Sequence, residues 1–199
     1  MTQRLYLDVE TRSATSLDKC GAMRYARDEW AGINAIGFAA DEGPLEQVRR
    51  EEIDNGGPML DRFKQQFYTA EKLIAHGAEF EMITIGVLLK LWRPAGCWSC
   101  TKAKAGYYGY PRSLDGCAIA LNCEHLKDIQ GKAAMLWCAN PINSPEDGPE
   151  IYERMYAYNL CDIPPMREID RKLPDLPTIV QDNWVADTEI NLRGLPVDR

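Results

Sequence analysis

Arg4-Leu5-Tyr6-Leu7-Asp8-Val9-Glu10-Thr11 reads as a β-strand, and its alternation decides what kind of fold follows. Successive side chains of a strand point to opposite faces. Leu5, Leu7 and Val9 therefore share one face, while Tyr6, Asp8 and Glu10 share the other. Two carboxylates two residues apart on an otherwise apolar strand repel each other, and buried charges need partners. A divalent cation is the obvious partner. Such a cation needs further acidic ligands from elsewhere in the chain and a substrate to serve.

Outward from this strand, Thr11 to Asp18 reads as a polar loop and Met23 to Asp28 as a short helical turn. Gly32 to Ala39 is a second strand, Asp41-Glu42-Gly43-Pro44 a turn, and Leu45 to Arg49 a third strand, giving a hairpin arrangement. Pro58 to Thr69 carries Met59, Leu60, Phe63 and Phe67 at helical spacing. Lys72 to His76 is a short buried strand, and Glu79 to Leu91 a helix striped by Phe80, Ile83, Val87 and Leu91. A short strand at Gly96 to Cys100 precedes a helix from Lys102 to Tyr108, ended by Gly109. Ser113 is placed to cap a helix running to Leu121, and Gly131 to Cys138 is a further short helix. After a polar loop, Pro141 to Gly148, a long helix runs from Pro149 to Arg171, with a kink or break expected at Pro164-Pro165. Thr178 to Leu192 is the last helix, ended by Gly194-Leu195-Pro196. Strands first, then alternating helices and strands, then helices, make an α/β layered domain with a mixed sheet flanked by helices.

The 199 residues suit one domain of ordinary size with a short appendage, and 45% hydrophobic content is normal for a globular chain. No run approaches the ~20 apolar residues of a membrane-spanning helix. Met1-Thr2-Gln3-Arg4 leads straight into the first strand, so no signal peptide is expected and the reading is of a cytosolic protein. A net charge of -7 argues against coating nucleic acid through bulk positive charge, but leaves room for a local grip on a nucleic-acid end. Seven dispersed cysteines, an odd number, suit reduced thiols. Cys97 and Cys100 form a CxxC, with Cys117, Cys123 and His125 downstream, but the spacing fits no regular zinc module and no second CxxC follows.

Two further acids suit a cation site. Glu81 begins a helix just beyond a short apolar strand and the turn His76-Gly77-Ala78, where α/β sheets form their sites. Asp162 follows Tyr158 by four residues, so the two share a helical face. Cations paired by such acids, roughly 3.5–4 Å apart, are used for phosphoryl transfer.

The segments LDVET, HGAEFE and YNLCD, in that order, resemble the three exonuclease motifs of the DEDD superfamily, whose fold is RNase H-like. Tyr158-x-x-x-Asp162 is similar to the third motif of the tyrosine subtype; neither His76 nor His125 is near Asp162 in sequence, as the histidine subtype would need. KCGAMRYA, RSLDGCAIAL and INLRGLPVD further resemble the N-terminal proofreading region of phage-type family A DNA polymerases. The resemblance implies a metal-dependent 3′→5′ exonuclease using two divalent cations, Mg2+ or Mn2+. Asp8 would bridge both cations, Glu10 and Asp162 would hold the one that activates the attacking water, and Glu81 would support the second through water. Tyr158 would orient the nucleophile, and Thr11, Gly77 and Phe80 would contact the 3′-terminal nucleotide. The partners implied are a single-stranded DNA 3′ end and a polymerase domain in cis, with residues 1–175 as the exonuclease domain and 176–199 as the start of a linker toward the polymerase. A monomer is expected, with no membrane association, in the cytoplasm of a bacterial host. Gly77 departs from the pattern, which places asparagine there, and Glu81 is the longer acid.

Each residue also has a plainer reading. Glu81 would favour a helix N-terminus through the macrodipole, Glu79 would be a solvated neighbour, and His76 a strand-end hydrogen-bonding residue. Tyr158 has Tyr152 and Tyr156 as packing neighbours in sequence. Lys102 to Arg112 interleaves basic and aromatic residues, as single-strand binders do, or is a solvated helix before a packed aromatic loop. The helix carrying Trp184, Ile190 and Leu192 has little left in the chain to pack against, which suggests the N-terminal piece of a longer polymerase; the alternative is a freestanding exonuclease whose last helix folds back. Rival functions are an exoribonuclease of the same superfamily and a non-catalytic nucleic-acid-binding module.

Overall fold

The computed structural model describes residues 3–194. In chain order its elements are β1 (Arg4–Arg12), α1 (Leu17–Ala26), β2 (Gly32–Ala40), β3 (Glu46–Arg49), α2 (Arg50–Asn55), α3 (Pro58–Thr69), β4 (Lys72–Ala75), α4 (Ala78–Leu88), β5 (Trp98–Cys100), α5 (Thr101–Tyr107), α6 (Leu114–Ala120), α7 (Lys132–Cys138), α8 (Pro149–Cys161), α9 (Ile163–Lys172) and α10 (Thr178–Arg193). The sheet order is β3-β2-β1-β4-β5. β1 is antiparallel to β2, and β2 to β3, while β1–β4 and β4–β5 are parallel. This is the expected mixed sheet flanked by helices, with β1 at its centre.

The alternation of β1 is realised. Leu5, Leu7 and Val9 enter one core with Phe38, Phe63, Phe67, Met82 and Trp98. Tyr6, on the opposite face, enters a second core with Met166, Ile169 and residues of α5 and α6. Asp8 and Glu10 share the Tyr6 face, the one covered by α8 and α9. The two prolines do not kink one long helix but start a new one. They sit in the first turn of α9, where a missing N–H costs nothing. The junction falls on Asp162, whose backbone (φ −82, ψ −18) caps both helices.

Several local expectations are corrected. β1 runs on to Arg12, and the helix expected from Met23 begins earlier, at Leu17, and ends at Ala26, broken at Gly21 (φ 72). That segment has no apolar stripe; only Tyr25 and Ala26 are buried in it. The six-residue α2 was not expected, although Gly56 (φ 82) after Asn55 is a fitting C-terminal glycine. Ser113 caps α6 as expected, its hydroxyl accepting from the Gly116 N–H. The expectation that the last helix lacks packing partners fails. Trp184, Val185 and Leu192 lie against the first core, Thr188 is 1% exposed, and the Trp184 indole donates to Glu79. Ile190 does remain exposed. The expected stop at Leu195-Pro196 lies outside the described residues. No helix among them is long and apolar enough to cross a membrane.

A buried ionic knot joins the sheet to α5 and α9. Lys104, 1% exposed, donates to Asp170 at 2.6 Å and to Asp175 at 2.5 Å. Arg4 and the Tyr6 hydroxyl also donate to Asp170, at 2.5 and 2.9 Å. Lys104 therefore leaves the basic–aromatic stretch read as a possible DNA contact, because its helix position faces inward and two carboxylates meet it there. The knot yields a prediction. Removing one member of a buried pair strands the other charge, at about 3–5 kcal/mol. Asp170→Ala should lower stability to urea by about that amount, and Asp175→Ala, on a largely exposed carboxylate, by much less. Equal losses in urea titrations would contradict this account of the knot.

Candidate functional site

Asp8 and Glu10 reach the α8 side of the sheet from β1, and Asp162 meets them from the α8–α9 junction. Glu81 comes from the first turn of α4, beyond the end of β4. All four carboxyls have raised pKa values. Burial is the leading cause in each case; for Asp8, Glu10 and Glu81 repulsion from other members of the group adds to it, and for Asp162 repulsion from Asp128 does. Asp8 is pushed up to about 7, by burial and then by Asp162, against the pull of Lys127 and Asn159. Glu10 lies well above the ordinary range, from burial and then from Asp8, Asp162 and Glu81. Glu81 lies well above it too, from burial and then from Asp8. Asp162 is raised by burial despite the opposing charge of Lys127. Asp8 and Glu10 thus feel Asp162, and Glu81 feels Asp8, across the three sequence segments.

They are not gathered into a finished cage. Among the described residues no group of three or more His, Cys, Asp and Glu stands ready to hold a metal ion. A positive charge is already present instead. The Lys127 ammonium bonds Asp162 Oδ2 and lies 4.7 Å from the centre of the Tyr158 ring. Burial works against its proton, but Asp162 outweighs burial and the Lys127 pKa is raised. Two buried carboxylate oxygens, Glu81 Oε2 and Asp162 Oδ1, have no hydrogen-bond partner. Buried carboxyl oxygens left without a partner are costly. Together with an all-carboxylate donor set, they fit a hard divalent cation that prefers oxygen.

The other sequence candidates are placed as follows. Tyr158 is 3% exposed and shares the Lys127 side chain with Asp162. Its pKa is raised, chiefly by burial. The Thr11 hydroxyl is paired with the Tyr25 hydroxyl at 2.9 Å, so it is committed within the fold. Phe80 packs near Tyr25, with ring centres 6.1 Å apart. Gly77 stands at φ 127, ψ 41, at the N-terminal cap of α4. Side chains rarely adopt that region, which gives a backbone reason for glycine where asparagine was expected. Both histidines are engaged away from the acids. His76 spans Thr101 and the Arg112 carbonyl, with its pKa lowered to about 4, mainly by burial; His125 meets Glu168 at 2.6 Å. The seven cysteines are free thiols. Glu79 is not merely solvated, since it accepts from Trp184 at 2.7 Å.

Two neighbours of the acids escaped the sequence reading. Lys127 lies in a polar stretch, far in sequence from the acids it meets. Asn159 sits inside the third segment, and only its place one residue after Tyr158 hinted at it. Beyond the end of β1 an apolar groove of about 720 Å³ is lined by Ser13, Thr15, Trp30, Leu136 and Ile142 among others.

The raised carboxyl pKa values have a stability consequence. A carboxyl whose folded pKa exceeds its unfolded one holds its proton more tightly when folded. Its contribution is full below the unfolded pKa and is lost as pH rises through the folded one. For Asp8 that window runs from 3.8 to about 7. With a chelator present, thermal stability should fall across this window, and Asp8→Asn should flatten the fall. A melting temperature that rises through the window in the wild-type chain would contradict the assignment.

No protein-family model matches the chain. A DNA polymerase of Bacillus phage SP02 is 29% identical over 209 aligned positions, which cover 98% of this chain and 32% of that protein. Among solved structures, the family B DNA polymerase from the hyperthermophilic archaeon Pyrobaculum calidifontis superposes over 100% of this chain and 31% of its own, with a TM-score of 0.55 at 11% identity. The second likeness concerns the fold alone. The chain thus spans about a third of the length of each polymerase it resembles, and its similarity to a phage DNA polymerase runs through nearly all of its own sequence.

Proposed function

We propose that this chain is a 3′→5′ exodeoxyribonuclease domain with an RNase H-like fold, acting as the proofreading part of a phage DNA polymerase. What supports the reading is that three distant segments meet at Asp8: the Asn159 amide of the third segment bonds its carboxylate, Asp162 raises its pKa, and Asp8 in turn raises that of Glu81. The likeness to polymerases supports the polymerase context, with residues 1–175 as the nuclease and 176–199 leading toward the polymerase. The family A assignment and the tyrosine subtype rest on the sequence motifs.

Asp8, Glu10, Glu81 and Asp162 would hold two divalent cations, Mg2+ or Mn2+. Such cations supply charge neutralisation at the scissile phosphate and a water of lowered pKa. The chain's own residues do the remaining work. Tyr158, with a raised pKa, keeps its phenolic proton at neutral pH. It therefore donates a hydrogen bond that orients the attacking oxygen and does not act as a base. Lys127 is placed to trade Asp162 for a phosphate oxygen once the carboxylates are otherwise neutralised. Phe80 and the α4 N-terminus at Gly77 border the acids and would meet the terminal nucleotide. The Thr11 hydroxyl is occupied by Tyr25, so its contact with the nucleotide would fall to the backbone. The groove with Trp30 offers an aromatic face on which unpaired bases can stack. In-line attack on the terminal phosphodiester releases a nucleoside monophosphate.

The test uses 5′-labelled single strands of DNA and RNA with Mg2+ or Mn2+. DNA should shorten stepwise from its 3′ end, with Asp8→Ala reducing cleavage to background. Shortening of RNA alone would make the chain an exoribonuclease. Binding without cleavage under either metal would make it a non-catalytic module.

A further inference from the structure

The row of residues that crosses the sheet at Asp8 has a gap in its middle. Asp8 on β1 pairs with Gly37 on β2, and Gly37 pairs with Gln47 on β3. Directly paired residues project to the same face of a sheet. Asp8 and Gln47 therefore flank a position without a side chain.

Asn159 descends from α8 into that gap and is fully buried. A Cβ on Gly37 would lie 2.7 Å from its Oδ1. Asn159 Nδ2 donates to the Asp8 carbonyl oxygen at 3.1 Å and to Asp8 Oδ2 at 2.8 Å. Its Oδ1 accepts from Gln47 Nε2 at 2.9 Å, and the same Nε2 donates to the Tyr156 carbonyl at 2.8 Å. Two backbone carbonyls, which only accept, fix which way both amides face. The chain Tyr156–Gln47–Asn159–Asp8 is thus directional.

We infer that Asn159 is a positioning residue for the proposed cation site, holding the Asp8 carboxylate by Oδ2 so that Oδ1 is left for a cation. The inference rests on the reading of the four acids given above. The residue type fits the task. An amide N–H favours the ionised carboxylate. An acid at 159 would add a fifth like charge, and a lysine would compete with the cation. An apolar residue would leave Asp8 free to turn, and the ordering of its rotamer would then oppose each binding event. Gly37 makes room for the amide, and Gln47 sets its direction.

The test is Mn2+ binding to the whole chain without DNA, followed by electron paramagnetic resonance. Thermal melts of each variant check that it folds. Wild type should show binding that Asp8→Ala abolishes. Asn159→Leu should weaken it by ~10–100-fold, the usual effect of losing a partner that orients a ligand. Gln47→Leu should weaken it less. Should Asn159→Leu fail to fold, Gly37→Ala displaces the Asn159 amide without altering its chemistry, and should weaken Mn2+ in the same direction. Wild-type affinity in folded Asn159→Leu or Gly37→Ala, beside an intact Asp8-dependent site, overturns the positioning role alone. A wild-type chain without Asp8-dependent binding overturns both this inference and the reading of the acids.

Discussion

Four carboxyl groups crowd one side of the central strand, Glu81 and Asp162 buried and Asp8 and Glu10 half-buried, and the rest of the structure is arranged around that constraint. Left alone, such a cluster responds by holding protons, which is why all four pKa values lie above the ordinary range. The fold supplies partial relief through the Lys127 ammonium on Asp162 and the Asn159 amide on Asp8. It leaves Glu81 Oε2 and Asp162 Oδ1 without any partner. A site built only to be stable would not keep two buried carboxyl oxygens unmet. The proposed cation would meet them.

The backbone features near the site serve the same end. The central strand turns Asp8 and Glu10 away from the first core by simple alternation. The proline pair starts α9 afresh, so Asp162 stands at a helix junction rather than on a continuous helical face. Gly37 opens the sheet surface to Asn159. Gly77 adopts a conformation that side chains avoid, and this lets the chain leave β4 and begin α4 with Glu81 in its first turn. Away from the site, the Lys104 knot ties the same strand to α5 and α9.

Much of the fold could be read from sequence because its strongest signals are periodic. The alternation of β1, the stripe of α3 and the punctuation by Pro164 and Pro165 each have one sensible structural reading. The four acids stand out as candidates because each sits at an element's end or on a named face. What escaped had no periodicity to show. The segment of α1 is nearly featureless in polarity and is defined by two buried residues. Lys104 looks like any surface lysine until Asp170 and Asp175, far along the chain, arrive beside it. Lys127 and Asn159 are ordinary polar residues whose meaning depends on tertiary approach, and Gly37 matters only because something else fills its place. Trp184 likewise found Glu79 and the first core across more than a hundred residues.

The most direct measurement of the central claim is a crystal structure of the chain soaked with Mn2+ and a nucleoside monophosphate, read by anomalous scattering. The account predicts manganese peaks among Asp8, Glu10, Glu81 and Asp162, with Lys127 moved off Asp162 toward the phosphate. Absence of manganese there, with Lys127 still bonded to Asp162, would contradict it.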